Sequence, residues 1–153
     1  MRDVRNMRRD ARRYDMDACA RCSQGGAQMK TALTIRQPWV SAILYHGKDV
    51  ECRTWDTSYR GTIYLHAAAT PHPYQDALER LTHAFDATAA RAIMSDARTD
   101  VRGAIVGTVR LTDVRRDSVS PWSVGGMLSW VLTHPRPFTH PVPMRGRLGL
   151  WSF

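Results

Sequence analysis

The stretch LTIRQPWVSAILYHGKDVECRTW, residues 33–55, decides how this chain is read. Thr31 to Ile35 alternate in the way a strand does. Pro38 then suits the first turn of a helix, where its missing N–H is not needed. Trp39, Ile43 and His46 fall near one face of that helix. Gly47 can close it in the left-handed conformation open to glycine. Residues 49–55 read as extended. On an extended segment Glu51 and Arg53 share a face, and Lys48 joins them only if the chain bends at 47–49. The stretch therefore predicts strand, short helix and strand, with a lysine, a carboxylate and an arginine gathered just after the helix.

Outward from it, RGTIYLHA (60–67) alternates Ile63, Leu65 and Ala67 on one face with Tyr64 and His66 on the other, a strand pattern. Residues 71–98 change period: Leu78, Leu81, Phe85, Ala89 and Ala92 recur at helical spacing. They predict one or two helices, broken near Asp86 to Thr88, as an excursion beside a barrel. GAIVGTVRLTDV (103–114) returns to strand, with Gly103 and Gly107 marking a bend or a close backbone approach. Residues 115–127 hold Pro121, Gly125 and Gly126 and read as a loop that covers the site with Ser120 to Trp122. LSWVLT (128–133) is a strand, prolines 135, 137, 141 and 143 predict a turn-rich return, and GRLGLWSF (146–153) closes as the last strand. Five or six short strands with two or three helices predict an α+β fold built on a small mixed β-barrel.

The first 28 residues differ from the rest. They carry seven arginines and four aspartates, few large apolar residues, and no sustained period. Residues 1–28 are expected to be a disordered basic leader. An upstream start codon is one origin for it, and a phosphate-tracking basic arm is the other reading. The domain is expected to span 29–153, and to fold without the leader.

The 153-residue chain fits one ordinary domain, and 43% apolar content can supply its core. No apolar run approaches the roughly 18 residues of a membrane helix. No secretory h-region opens the chain, so a cytoplasmic protein is the expected default. Basic residues number 22 against 14 acidic, a net charge of +8, and only Lys30 and Lys48 are lysines. Arginine's planar fork suits phosphate, although an arginine bias in the coding genome gives the same composition. Three cysteines, an odd number, argue against a disulfide framework. Cys19 and Cys22 have the spacing of half a zinc site, without a second pair. No P-loop, HExxH, zinc-deaminase or GxSxG pattern is present, so neither a metal nor a cofactor is implied.

The blocks LTIRQPWVSAIL, HGKDVECRTW, RGTIYLHA, GAIVGTVRLTDV, WVL and PVPMRGRLGLW resemble, in this order, the ASCH domain family of the PUA-like superfamily. The likeness covers roughly residues 30–153 and is greatest to stand-alone bacterial and phage members. Of that family's GxKxxExR signature, Lys48, Glu51 and Arg53 hold the last three positions. His46 stands at the first glycine position, with Gly47 one residue later. The resemblance implies a pseudo-barrel of about six strands that binds RNA or a nucleotide-like ligand. Some members are ribonucleases, and a small subgroup hydrolyses acetylcytidine with a lysine, a threonine and a glutamate. Lys48 matches that lysine. Glu51 stands where the threonine would be, and Val109 to Leu111 supply no carboxylate, which argues against the same mechanism.

The residue chemistry agrees with a ligand site. Lys48 offers a point charge, Arg53 a planar fork, and Glu51 an acceptor that can orient either or bind a base amine. The alternative is an exposed ionic cluster of little energetic weight. Arg36 and Gln37 precede the first helix, where Gln37 reads a base edge or caps the helix. Trp55 shares a strand face with Arg53 and is the expected stacking platform. Trp39, Trp130 and Trp151 read as core, and His66 as a structural histidine. If the protein is instead a hydrolase acting on RNA or on an acylated nucleoside, Lys48 and Glu51 are its expected catalytic pair. The expected partners are RNA or a nucleotide-like small molecule.

Overall fold

The computed structural model describes residues 29–153. The expected leader and the Cys19–Cys22 pair lie outside the described residues. Six strands and three helices follow in the order β1 (Thr31–Ile35), α1 (Trp39–Tyr45), β2 (Val50–Arg53), β3 (Gly61–Ala67), α2 (Tyr74–Ala84), α3 (Ala87–Met94), β4 (Ala104–Arg115), β5 (Leu128–Pro143) and β6 (Leu150–Ser152). A 3-10 turn, Ala97–Asp100, joins α3 to β4.

The strands form one mixed sheet in the order β2-β5-β4-β3-β1-β6. β1 and β3 are parallel because α1 and β2 intervene and carry the chain back. The other neighbours are antiparallel. β2 lies at one edge and β1 next to the other, yet Arg53 Nη2 donates to the Thr34 carbonyl at 3.2 Å. That bond between distant strands requires the sheet to curl upon itself. The result is the α+β, PUA-like barrel expected from the strand count.

The alternation in β3 is realised: Ile63, Leu65 and Ala67 are buried in the core with Leu33, Ile35, Val109, Leu111 and Trp130. α1 adds Val40 and Ile43 to the same cluster. Each such side chain removed from water stabilises the fold by roughly 1.5–3 kcal/mol. α2 and α3 pack on each other and on α1 through Leu81, Ala90, Ile93 and Ala42. The break between these helices falls where Asp86 stands. Its carboxylate accepts from the Thr88 and Ala89 amides at 2.8 and 2.9 Å, capping α3.

β5 differs from expectation. It continues as a strand of 16 residues through all four prolines instead of breaking after Thr133. The reason is tertiary. β2 pairs only with Leu128 to Val131, so beyond Leu132 no strand among the described residues pairs with the outer edge of β5. Prolines on such an edge forfeit no ladder bond. Register shifts opposite Ile105/Gly107, Thr108/Arg110 and Leu111/Asp113 absorb the remaining mismatch. The close approach expected at Gly107 is present: a Cβ there would lie 2.7 Å from the Arg136 carbonyl oxygen. Among the described residues, no helix is long and apolar enough to cross a membrane.

Candidate ligand cleft

α1 ends one residue before His46, and Gly47 takes φ +70°. The Lys48 amide then returns to the Ala42 carbonyl at 3.0 Å. This bend is what extended geometry lacked, and it brings Lys48 alongside Glu51. Lys48 Nζ lies 3.4 Å from Glu51 Oε2 and donates to the Val50 carbonyl. Arg53 Nη2 lies 3.2 Å from Glu51 Oε1. Lys48 is 6% exposed and Glu51 8%, so the pair is desolvated, not a surface cluster. Among the described residues, Arg53 Nε is buried without a partner.

Lys48 and Glu51 line a cleft of about 770 Å³. Its other walls come from α2, through Arg80 and His83, and from the 121–127 loop, through Trp122 and Ser123. Trp39 of α1 also lines it. The Lys48 ammonium lies 6.0 Å from the centre of the Trp122 ring. Trp122 is placed by several contacts: Phe85 at 4.4 Å between ring centres, Cys52 Sγ donating to its carbonyl, and the Ser120 hydroxyl accepting its amide. Ser120 in turn donates to Asp49 Oδ1 at 2.5 Å, which ties the loop to the residue after Lys48.

The other sequence candidates stand elsewhere. Arg53 touches Glu51 but does not line the cleft. Trp55 packs edge-on against Trp130, 4.6 Å between centres, and its carbonyl accepts from the Trp130 indole. Arg36 is exposed and outside the cleft lining. Gln37 is buried: its Oε1 accepts from the Ser41 amide and hydroxyl, and its Nε2 donates to the Arg98 and Val101 carbonyls. It thereby caps α1 and pins the 3-10 turn to it. Trp39, read as core, is only half-buried and packs on His72 and beneath Arg80. Arg80, His83 and Trp122 were not singled out by the sequence as ligand contacts. Their one signal was position, on an excursion helix and in a proline- and glycine-rich loop expected to cover the site.

A second charged cluster stands at the end of α1. His46 Nε2 contacts Asp96 Oδ2 at 2.7 Å, and Arg98 closes on the same carboxylate. Arg98 first, with His46 adding to it, holds the Asp96 carboxyl well below the usual carboxylate range. The cluster ties the end of α1, immediately before Lys48, to the 3-10 turn.

The curled six-stranded mixed sheet with its three helices is an α+β barrel of the PUA-like type. The ASCH domain family matches residues 33–141, most of the chain, and this chain belongs to that family. Among curated proteins, none matches it. Membership of this family points toward RNA.

Proposed function

We propose that this domain binds single-stranded RNA and takes one nucleotide of it into the cleft beside Lys48 and Glu51. The observation that carries the reading is the placement of two nearly buried opposite charges on the wall of an open cleft beside an indole. Burying an ion pair is expensive and seldom adds stability over apolar packing. The arrangement does offer a donor next to an acceptor, which matches the edge of a base carrying an amine beside a carbonyl. Trp122 supplies a face for stacking, and Arg80 and His83 stand at the rim where phosphates would pass. Family membership supports the same ligand class.

Fluorescence anisotropy with labelled single-stranded RNA tests this. Trp122→Ala is expected to weaken binding by about 5- to 150-fold, from a stacking contribution of roughly 1–3 kcal/mol. Affinity equal to wild type in Trp122→Ala rejects the cleft as the site.

A hydrolase acting on RNA or on an acylated nucleoside keeps one support, the desolvated Lys48 beside a carboxylate. Against it, the ammonium is already engaged by Glu51 and the Val50 carbonyl. Turnover of acetylcytidine that disappears in Lys48→Met would favour this reading over simple binding.

A further inference from the structure

A second cleft, of about 380 Å³, lies against β1 and β3, with Thr34, His66, Met144, Arg145 and Arg147 in its walls. None of its lining residues is acidic. Arg145 and Arg147 form no ion pair among the described residues. Two unneutralised guanidinium groups at one cleft suit a phosphodiester.

His66 adds a second, independent signal. It is 2% exposed, and its Nε2 meets the Met144 carbonyl at 2.8 Å. A carbonyl only accepts, so Nε2 carries the proton of the neutral ring and Nδ1 keeps a lone pair. That Nδ1 is buried and has no partner among the described residues. An orphaned buried acceptor is costly, and a ligand hydroxyl would relieve it. Nδ1 lies beneath Gly146, whose Cβ, if it had one, would sit 2.6 Å away. Gly146, lacking a Cβ, lets the strap of residues 145–148 close directly over that nitrogen.

The two clefts are joined by contacts. Glu51 lines the first and Thr34 the second, and Arg53 Nη2 touches both residues, each at 3.2 Å. The Thr34 hydroxyl accepts from the Trp151 indole at 3.1 Å, and Arg147 lies over the Trp151 ring.

We propose that the second cleft holds the ribose-phosphate of a nucleotide neighbouring the one in the first cleft. Arg145 and Arg147 take the phosphate, and, with the 145–148 strap displaced outward, the ribose 2′-hydroxyl donates to His66 Nδ1. The ligand is then an RNA strand, not a free nucleotide and not DNA. This rests on the RNA reading of the first cleft.

The test uses the full chain and three probes: a single-stranded RNA of about eight nucleotides, the DNA of the same sequence, and cytidine monophosphate. In wild type, RNA is expected to bind more tightly than DNA. Arg145→Ala with Arg147→Ala should weaken RNA binding about tenfold and flatten its log–log salt slope by about 0.7, the value for one phosphate no longer neutralised on a single strand. Binding of the mononucleotide should stay within about twofold of wild type, because the first cleft is untouched. RNA affinity and salt slope unchanged in the double variant overturn this proposal alone. DNA bound as tightly as RNA overturns the ribose contact. A wild-type chain that binds neither RNA nor mononucleotide overturns the reading of both clefts.

Discussion

Exchanging Glu51 for glutamine should destabilise this protein more than removing either of its cationic partners. Glu51 faces Lys48 at 3.4 Å and Arg53 at 3.2 Å. At an effective dielectric constant of about 20, each contact is worth roughly 5 kcal/mol before desolvation is subtracted. Glutamine keeps the shape and removes the charge, so two cations remain side by side without a counter-charge. Breaking a buried pair in this way costs about 3–5 kcal/mol, a large part of the 5–15 kcal/mol that typically holds a domain folded. Lys48→Met differs: the Glu51–Arg53 contact survives, and the main loss is a donor to the Val50 carbonyl, about 1–3 kcal/mol. The double variant should cost less than the two single changes added, by about 1–2 kcal/mol, because the unpaired ammonium is gone. Urea unfolding followed by circular dichroism, extrapolated to water, measures all three. Glu51→Gln costing no more than Lys48→Met would refute the placement of the carboxylate between two desolvated cations.

Two other predictions concern the frame that holds the cleft. Asp96 has a folded-state pKa below its ordinary value of 3.8, so it stabilises the fold above that pH and the benefit is lost as pH falls through and below it. The stability advantage of wild type over Asp96→Asn, read from urea midpoints, should therefore narrow as pH drops below about 4; a gap constant from pH 6 to pH 3 would contradict it. Gly107→Ala should cost about 1–3 kcal/mol, since its Cβ meets the Arg136 carbonyl at 2.7 Å and Leu44 Cδ2 at 2.9 Å, and an unchanged thermal midpoint would show that β4 and β5 are not so closely apposed.

The elements that alternation and punctuation could mark were legible in the sequence. Pro38 and Gly47 bracketed α1, the inward face of β3 was read residue by residue, and Asp86 broke the excursion where its carboxylate caps α3. What local pattern could not carry was set by distant neighbours. Four prolines in one segment read as turns, because whether a proline forfeits a ladder bond depends on which edge is paired, and that is decided by the short β2. The burial of Lys48 and Glu51 was equally invisible, since it is made by a loop some seventy residues onward that Ser120 and Cys52 hold in place. Strand parity placed Trp55 on the face of Arg53, but that indole meets Trp130 in the barrel wall. Trp122 sits in a loop without period, so nothing in its own neighbourhood marked it as the indole beside Lys48.

The chain has five tryptophans, and they occupy distinct surroundings. Following their indole N–H resonances by NMR during titration with single-stranded RNA tests the cleft assignment most directly. Trp122 and Trp39 are expected to shift strongly while Trp55 and Trp130 stay in place. Large shifts at Trp55 or Trp130 with Trp122 unmoved, or a titration that moves none of the five, would contradict it.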